Sequence, residues 1–170
     1  MVSNTPRANE DATATTALYL MLSCLRHFSM AEVSLRSGTW KMPIDAAQTH
    51  DVTGRTLGIL GLGGIGLRFA RLAHAFPMRI VYFSRRKVES APDWCEYAPS
   101  MEELCRRADV LSLHVPLSQS TTGMIGEKEI RSLRRGSVLL NTSRGRVVDE
   151  EAIIRALDDG HVCKKIIFRV

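Results

Sequence analysis

Six residues, Gly61-Leu62-Gly63-Gly64-Ile65-Gly66, limit what this chain can fold into more than any other stretch. They follow a short apolar run, Thr56 to Leu60, and open a segment with helical spacing, Ile65 to Phe76. In such a strand–turn–helix setting each glycine has a physical reason. Gly61 permits the tight turn, Gly63 lets the backbone approach a ligand, and Gly66 allows the helix to pack closely on the strand. The helix N-terminus then presents free amides and a positive partial charge, which suits phosphate. The G-x-G-x-x-G spacing in this context points to a dinucleotide, with Gly61, Gly63, Gly64, Ile65 and Gly66 as its contacts.

The rest of the chain continues the alternation. The first helix carries Leu67, Ala70, Arg71 and His74 on helical spacing and is closed by Pro77. Arg79 to Phe83 reads as a second strand, and Ser100 to Arg106 as a short helix opened by the capping box Ser100-Met101-Glu102-Glu103. Asp109 to Val115 is a third strand ended by Pro116, Glu127 to Leu133 a short helix, and Ser137 to Leu140 a fourth strand. Asp149 caps a helix through Asp158, with Gly160 just past its end. This alternation implies an α/β fold: a Rossmann-type, doubly wound parallel sheet, incomplete at its C-terminal side. Ahead of it, residues 1–8 read as a polar arm and 9–30 as one helix, with Asn9 or a polar neighbour as its cap. Its centre, Ala17 to Leu22, is apolar around the full circumference and needs cover on more than one side. Residues 37–54, with Gly38, Trp40, Pro43 and Gly54, read as a connecting loop.

The chain of 170 residues is 45 % hydrophobic and carries a net charge of +5. Basic pairs and triplets occur at Arg85-Arg86-Lys87, Arg106-Arg107, Arg134-Arg135 and Lys164-Lys165. No nucleic-acid-binding motif accompanies them, so they read as solvated faces plus one site for an anionic cofactor. No apolar run approaches the roughly 20 residues that span a bilayer, and the polar start does not resemble a signal peptide. The four cysteines, Cys24, Cys95, Cys105 and Cys163, have no metal-ligand spacing and read as reduced thiols of a cytoplasmic protein.

Cofactor choice is set where the second strand ends. A carboxylate about 20 positions past the glycine loop would bond the adenosine ribose. Here Ile80-Val81-Tyr82-Phe83 runs into Ser84-Arg85-Arg86-Lys87, with no carboxylate. A hydroxyl and guanidinium groups suit a 2′-phosphate, so Ser84, Arg85 and Arg86 favour NADP(H), with NAD(H) as the alternative.

At this point a specific likeness emerges. Asn9-Glu10-Asp11-Ala12-Thr13-Ala14 opens the long helix, and Gly58-Ile59-Leu60 leads into the glycine loop. Leu113-His114-Val115-Pro116-Leu117 is followed by Thr121-Thr122-Gly123, and Asn141-Thr142-Ser143-Arg144-Gly145 by Val148-Asp149-Glu150-Glu151-Ala152. In this order and spacing the chain resembles the cofactor domain of the D-isomer-specific 2-hydroxyacid dehydrogenases. The Ser-Arg-Arg turn is most similar to the glyoxylate/hydroxypyruvate reductase branch. The resemblance implies reduction of a 2-keto acid by NAD(P)H, a small 2-keto or 2-hydroxy acid as partner, and a homodimer for the full-length family. It implies neither nucleic acid nor membrane as partner. It gives Arg144 the role of holding the substrate carboxylate and carbonyl, sets Thr142 and Ser143 on the nicotinamide side, and passes Val115 and Pro116 beside the cofactor. Independently, Arg144 lies just past a predicted strand end, where open α/β sheets bind ligands, and its planar fork suits a carboxylate. His114 falls at the strand-end position of the pattern rather than the proton-donor position, and reads as structural or cofactor-side.

The resemblance also divides the chain: an arm and interdomain-type helix at 1–36, the loop at 37–54, a dinucleotide-binding domain at 55–161 and a divergent tail at 162–170. The family's earlier substrate domain, and the later segments that supply the proton-donor histidine and its glutamate, have no counterpart here. Where the family reads roughly Gly-Leu-Asp-Val, this chain reads Val162-Cys163-Lys164-Lys165-Ile166-Ile167-Phe168-Arg169-Val170. The expectation is therefore a cofactor-holding half, truncated at both ends and inactive alone. Two other readings stay open, a non-catalytic cofactor-binding or interaction module and an incomplete gene product. Without the family's later strands, the fourth strand faces solvent as an edge unless Ile166-Ile167-Phe168 adds beside it.

Overall fold

A computed structural model of the chain describes residues 7–39 and 49–167, the last four as backbone alone. Two helices come first, α1 (Glu10–Arg26) and α2 (Phe28–Arg36). The alternating unit follows: β1 (Thr56–Leu60), α3 (Gly64–His74), β2 (Arg79–Phe83), β3 (Cys95–Tyr97), α4 (Met101–Arg107) and β4 (Val110–Leu113). It continues with α5 (Glu127–Ser132), β5 (Ser137–Asn141), a 3-10 turn (Gly145–Val147), α6 (Glu150–Asp158) and β6 (Val162–Ile167). The expected polar arm before Arg7, half of the expected connecting loop (40–48) and Phe168 lie outside the described residues.

All six strands are parallel and form one sheet in the order β3-β2-β1-β4-β5-β6. The strand order reverses between β1 and β4. Open α/β sheets bind ligands at such a reversal, outside the carboxyl ends of the strands. Every residue of β1, β4 and β5 is buried, which is why these strands read as continuous apolar runs rather than alternating ones. One face packs Leu57, Ile59 and Tyr82 against Ala17 and Met21 of α1 and Phe69 of α3. The other packs Leu111, Leu113 and Leu139 against Leu104, Ile130 and Ile153 of α4, α5 and α6. Burying each such leucine contributes about 2 kcal/mol.

The caps at Ser100 and Asp149 form as their residue types dictate. Ser100 Oγ accepts from the Glu103 amide at 3.1 Å, and Asp149 Oδ1 from the Ala152 amide at 3.1 Å. Asn9 stands at the start of α1 but makes no side-chain cap.

One expectation changes. The single helix over 9–30 is two helices, because His27 adopts a left-handed conformation (φ 56°) that ends α1 and starts α2. The apolar centre of α1 is covered from within the chain, with Ala17, Leu20 and Met21 buried; only Tyr19 stands out, 56 % exposed. A short strand, β3, extends the sheet beyond β2, in a stretch that carries no strand pattern of its own. Of the two alternatives for the tail, the second holds: β6 pairs with β5 in parallel register from Ser137↔Val162 to Asn141↔Ile167, with a bulge after the first pair. The strand ending at Asn141 is therefore not a free edge.

Candidate functional site

The candidate residues lie on four loops, each leaving the carboxyl end of a parallel strand. The first two are joined by hydrogen bonds. The Gly61 amide donates to the Phe83 carbonyl at 2.9 Å, and the Leu62 amide to Ser84 Oγ at 3.0 Å. The third is joined to the first by the His114 amide, which donates to the Leu60 carbonyl at 2.8 Å. The fourth, after β5, is aligned with the third through the pairing of Leu113 with Asn141.

The glycines are not equivalent. Gly61 has a φ of 93°, and a Cβ there would sit 2.7 Å from the His114 carbonyl oxygen and 3.0 Å from Val115 Cγ1. A Cβ on Gly66 would meet the Gly61 carbonyl oxygen, so α3 can cross this close to β1 only with glycine there. Gly63 faces open space, with nothing within 4 Å of a Cβ position. Gly64 differs again: its Cβ position is filled by the carboxylate of Glu10 from α1. Its lack of a side chain thus has a packing cause, which the sequence motif does not reveal.

No side chain caps the N-terminus of α3, and no aspartate or glutamate stands at the end of β2. Arg85 and Arg86 are exposed and form no ion pair among the described residues. Other basic clusters differ. Arg106 pairs with Glu103, Arg107 with Glu96, and Arg134 with Asp109 at 3.0 Å. These three arginines are engaged in ordinary surface ion pairs.

The loop after β5 is held by Asn141, which is fully buried. Its Oδ1 accepts from the Ser143 amide at 3.0 Å and from Ser143 Oγ at 2.7 Å, and its Nδ2 donates to the Arg144 carbonyl at 2.8 Å. Arg144 is left exposed, with Nη1 donating, among the described residues, only to the Ser143 carbonyl at 2.9 Å. Thr142 Oγ1 is buried and has no hydrogen-bond partner among the described residues. The loop after β4 is braced by Thr121, whose Oγ1 donates to the Pro116 carbonyl at 2.7 Å and accepts from the Ser118 amide at 2.8 Å. The sequence motifs contain Asn141 and Thr121 but do not reveal these bracing roles, because the bonds depend on loop conformation.

His114 sits at the reversal point. Its Nε2 lies 2.9 Å from Ser112 Oγ, and its ring meets the edge of Phe69 with centroids 5.8 Å apart. Burial of the ring pushes its pKa down to about 4. The imidazole is therefore neutral at pH 7 and faces Ser112 and Phe69. Cys95 and Cys105 are buried thiols whose pKa values burial raises to about 11 and about 12, so neither is a thiolate nucleophile. Among the described residues, no group of three or more His, Cys, Asp or Glu is arranged to hold a metal ion, and no helix is long and apolar enough to cross a membrane.

These features fit a dinucleotide. The uncapped helix end and the open face at Gly63 would receive a pyrophosphate, and the unsatisfied Thr142 Oγ1 would face a polar group further along the cleft. Comparison with known proteins agrees. Residues 18–166 match the family model described as D-isomer specific 2-hydroxyacid dehydrogenase, NAD binding domain. A glyoxylate reductase of Korarchaeum cryptofilum is 41 % identical over 165 residues, which are 95 % of this chain and 49 % of the relative. A 4-methyl-2-oxopentanoate reductase of Aspergillus oryzae is 40 % identical over 161 residues, covering 95 % of this chain and 48 % of the relative. The crystal structure of a glyoxylate reductase from Paecilomyes thermophila superposes with a TM-score of 0.91 at 42 % identity, over 97 % of this chain and 50 % of that one. The chain thus spans about half the length of the curated relatives it matches. It belongs to the D-isomer specific 2-hydroxyacid dehydrogenase family, as that family's NAD binding domain.

Proposed function

We propose that this chain is the cofactor-holding half of a cytoplasmic 2-keto acid reductase that prefers NADP(H) to NAD(H). The observation that carries the reading is the convergence of the glycine loop, the Ser84-Arg85-Arg86 turn and the Arg144 loop at one strand-order reversal. Gly61, Gly63, Gly64, Ile65 and Gly66 form the pyrophosphate cradle. Ser84 accepts from Leu62 with its lone pair and keeps its own proton for a ribose or 2′-phosphate oxygen. Arg85 and Arg86, free of ion pairs among the described residues, supply the charge that a 2′-phosphate needs. Val115, Pro116, Thr142 and Ser143 border the nicotinamide end. Arg144 binds the carboxylate of a small 2-keto acid such as glyoxylate or hydroxypyruvate, in bidentate fashion.

The bound nicotinamide supplies the hydride chemistry, and the residues of this half bind and orient. A reductase of this kind also needs a protonated donor at the new hydroxyl. The histidine at these strand ends, His114, is neutral at pH 7 and turned to Ser112, so it does not serve. Proton donation at a matched pKa is worth roughly 10²–10⁴-fold, so this half alone turns over slowly or not at all. The test is fluorescence titration of the purified chain with NADPH and NADH, followed by addition of glyoxylate or hydroxypyruvate. Tighter NADPH binding without turnover is expected. Equal or tighter NADH binding overturns the cofactor preference, and turnover at an ordinary enzyme rate overturns the dependence on a second half.

A further inference from the structure

The first turn of α1 reaches the start of α3. The Glu10 carboxylate occupies the space beside Gly64, the first residue of α3. Arg68, one turn further on and so on the same face of the helix, holds it there. Arg68 Nε donates to Glu10 Oε2 at 2.9 Å, and Nη1 pairs with Asp11. The pair is partly enclosed, the Glu10 side chain 17 % exposed and Arg68 40 %. A carboxylate at a helix N-terminus is favourable for the helix, but it occupies the positive potential that a phosphate would otherwise use.

We propose that Glu10 and Arg68 form a positioning pair that sets the charge at the phosphate end of the glycine loop. This rests on the dinucleotide reading of that loop. Gly63 is open immediately before Gly64, so a pyrophosphate there lies next to the pair. Arg68 is placed on α3 where it could reach toward that anion, yet its guanidinium is turned to α1 by two carboxylates. The pair and Asp11 together bring a net negative charge to the cradle, and the pyrophosphate is held there by backbone amides rather than by a cation. The consequence is a cofactor that remains exchangeable, which matters where release limits turnover. A side chain at position 64 would push the Glu10 carboxylate out of this place.

The prediction has opposite signs for the two partners, which a purely structural role does not produce. In Glu10→Gln the guanidinium loses its stronger partner, so NADH and NADPH both bind about two- to fivefold tighter, with a steeper salt dependence. In Arg68→Met the carboxylate is left beside the phosphate, and both bind weaker by a similar factor. The equal effect on the two dinucleotides separates this pair from the Arg85-Arg86 turn. Thermal melts of the full chain accompany each titration. If Glu10→Gln lowers the melt, the comparison becomes Glu10→Gln against Glu10→Gln/Arg68→Met, which share the loss of docking and differ only in the cation. Tighter binding by the single variant supports the pair, and equal binding overturns it. Affinities unchanged in both single variants, with melts intact, also overturn it and leave the dinucleotide reading standing. Failure of the unaltered chain to bind either dinucleotide overturns both.

Discussion

The hydroxyl of Ser84 accepts a hydrogen bond from the amide of Leu62 at 3.0 Å, tying the end of β2 to the middle of the glycine loop. The bond fixes the serine oxygen as an acceptor and leaves its one proton available. Ser84 therefore has two separable functions, bracing the loop and donating outward. Arg85 and Arg86 have only the second kind. Arg85→Ala/Arg86→Ala should weaken NADPH binding about tenfold or more while leaving NADH within about twofold, since charge-assisted hydrogen bonds are worth roughly 1.5–3 kcal/mol. Ser84→Ala should weaken both dinucleotides, because the loop loses its brace as well. Parallel titrations with the two cofactors check this, and an equal loss of NADH in the double arginine variant would remove the 2′-phosphate assignment.

Gly61 and Gly63 should respond differently to the same substitution. Gly61→Ala forces a side chain into a left-handed backbone at 2.7 Å from the His114 carbonyl, so stability should fall by about 1–3 kcal/mol. Gly63→Ala meets nothing within the protein and should melt close to the unaltered chain. Its methyl group lies where the pyrophosphate would approach, so binding of both dinucleotides should drop sharply. A Gly63→Ala chain that binds normally would show that the open face is not the phosphate site.

His114 gives the fold an acid-sensitive element. Its folded-state pKa is about 4, below the ordinary value of 6.5, because burial disfavours the charged ring. Between those values the unfolded chain binds more protons than the folded one, so stability rises with pH and falls as pH drops from about 6.5 toward 4. The full shift sets an upper bound of about 3 kcal/mol. Glu96, Glu127 and Asp159, whose pKa values are lowered chiefly by hydrogen bonds from Arg107, Arg131 and the His161 amide respectively, add losses only further into the acid range. Denaturant midpoints measured from pH 7 to 4.5 should fall for the unaltered chain and stay flatter for His114→Gln. Matching slopes would rule out His114 as the source.

The strands that flank the reversal point were legible because each is an apolar run bounded by glycine, proline or charge. What was not legible depends on partners far away in the chain. Cys95-Glu96-Tyr97 has no strand pattern of its own and is extended because Ile80, Val81 and Tyr82 offer it a ladder. The break at His27 has no glycine or proline to announce it. Gly64 reads as part of a phosphate motif, yet its Cβ position belongs to Glu10, which only the docking of α1 on α3 brings there. The residues alone mark four separate motifs, and only the family resemblance gathers them around one cofactor. Their convergence follows from a strand order that no local pattern contains.

Asn141 should prove to be the residue on which the Arg144 loop depends. It is buried, and all three of its side-chain hydrogen bonds go to the two residues that precede the 3-10 turn. Asn141→Ala leaves the Ser143 amide and the Arg144 carbonyl without these partners, a cost of about 1–3 kcal/mol. Asn141→Asp keeps the acceptor for Ser143 but sets a buried carboxylate oxygen against the Arg144 carbonyl, so it too should melt below the unaltered chain. Arg144→Ala, with an exposed side chain and no ion pair among the described residues, should leave the melt unchanged. The ordering of these melts tests the staple directly, and an Asn141→Ala chain as stable as Arg144→Ala would refute it.

The last strand makes the sharpest stability prediction. Val162 is 1 % exposed and packs with Ile153 and Ala156 of α6, while the backbone beyond it pairs along the whole of β5. The sequence Val-Cys-Lys-Lys-Ile-Ile departs from the family's pattern, but strand pairing is made by main-chain groups and needs only an extended segment that reaches. Cys163 is skipped in the register between Val162 and Lys164, so the bulge absorbs one residue of mismatch. A chain ending at His161 would expose the amides and carbonyls of β5 along an otherwise fully buried strand. It should unfold at a lower temperature and self-associate at concentrations where the full chain does not. Lys164→Pro tests the same contact without shortening the chain, because it can remove a main-chain donor from within the ladder. Both variants should shift the melt in the same direction under light-scattering control. If neither does, β6 contributes no stability and the sheet effectively ends at β5.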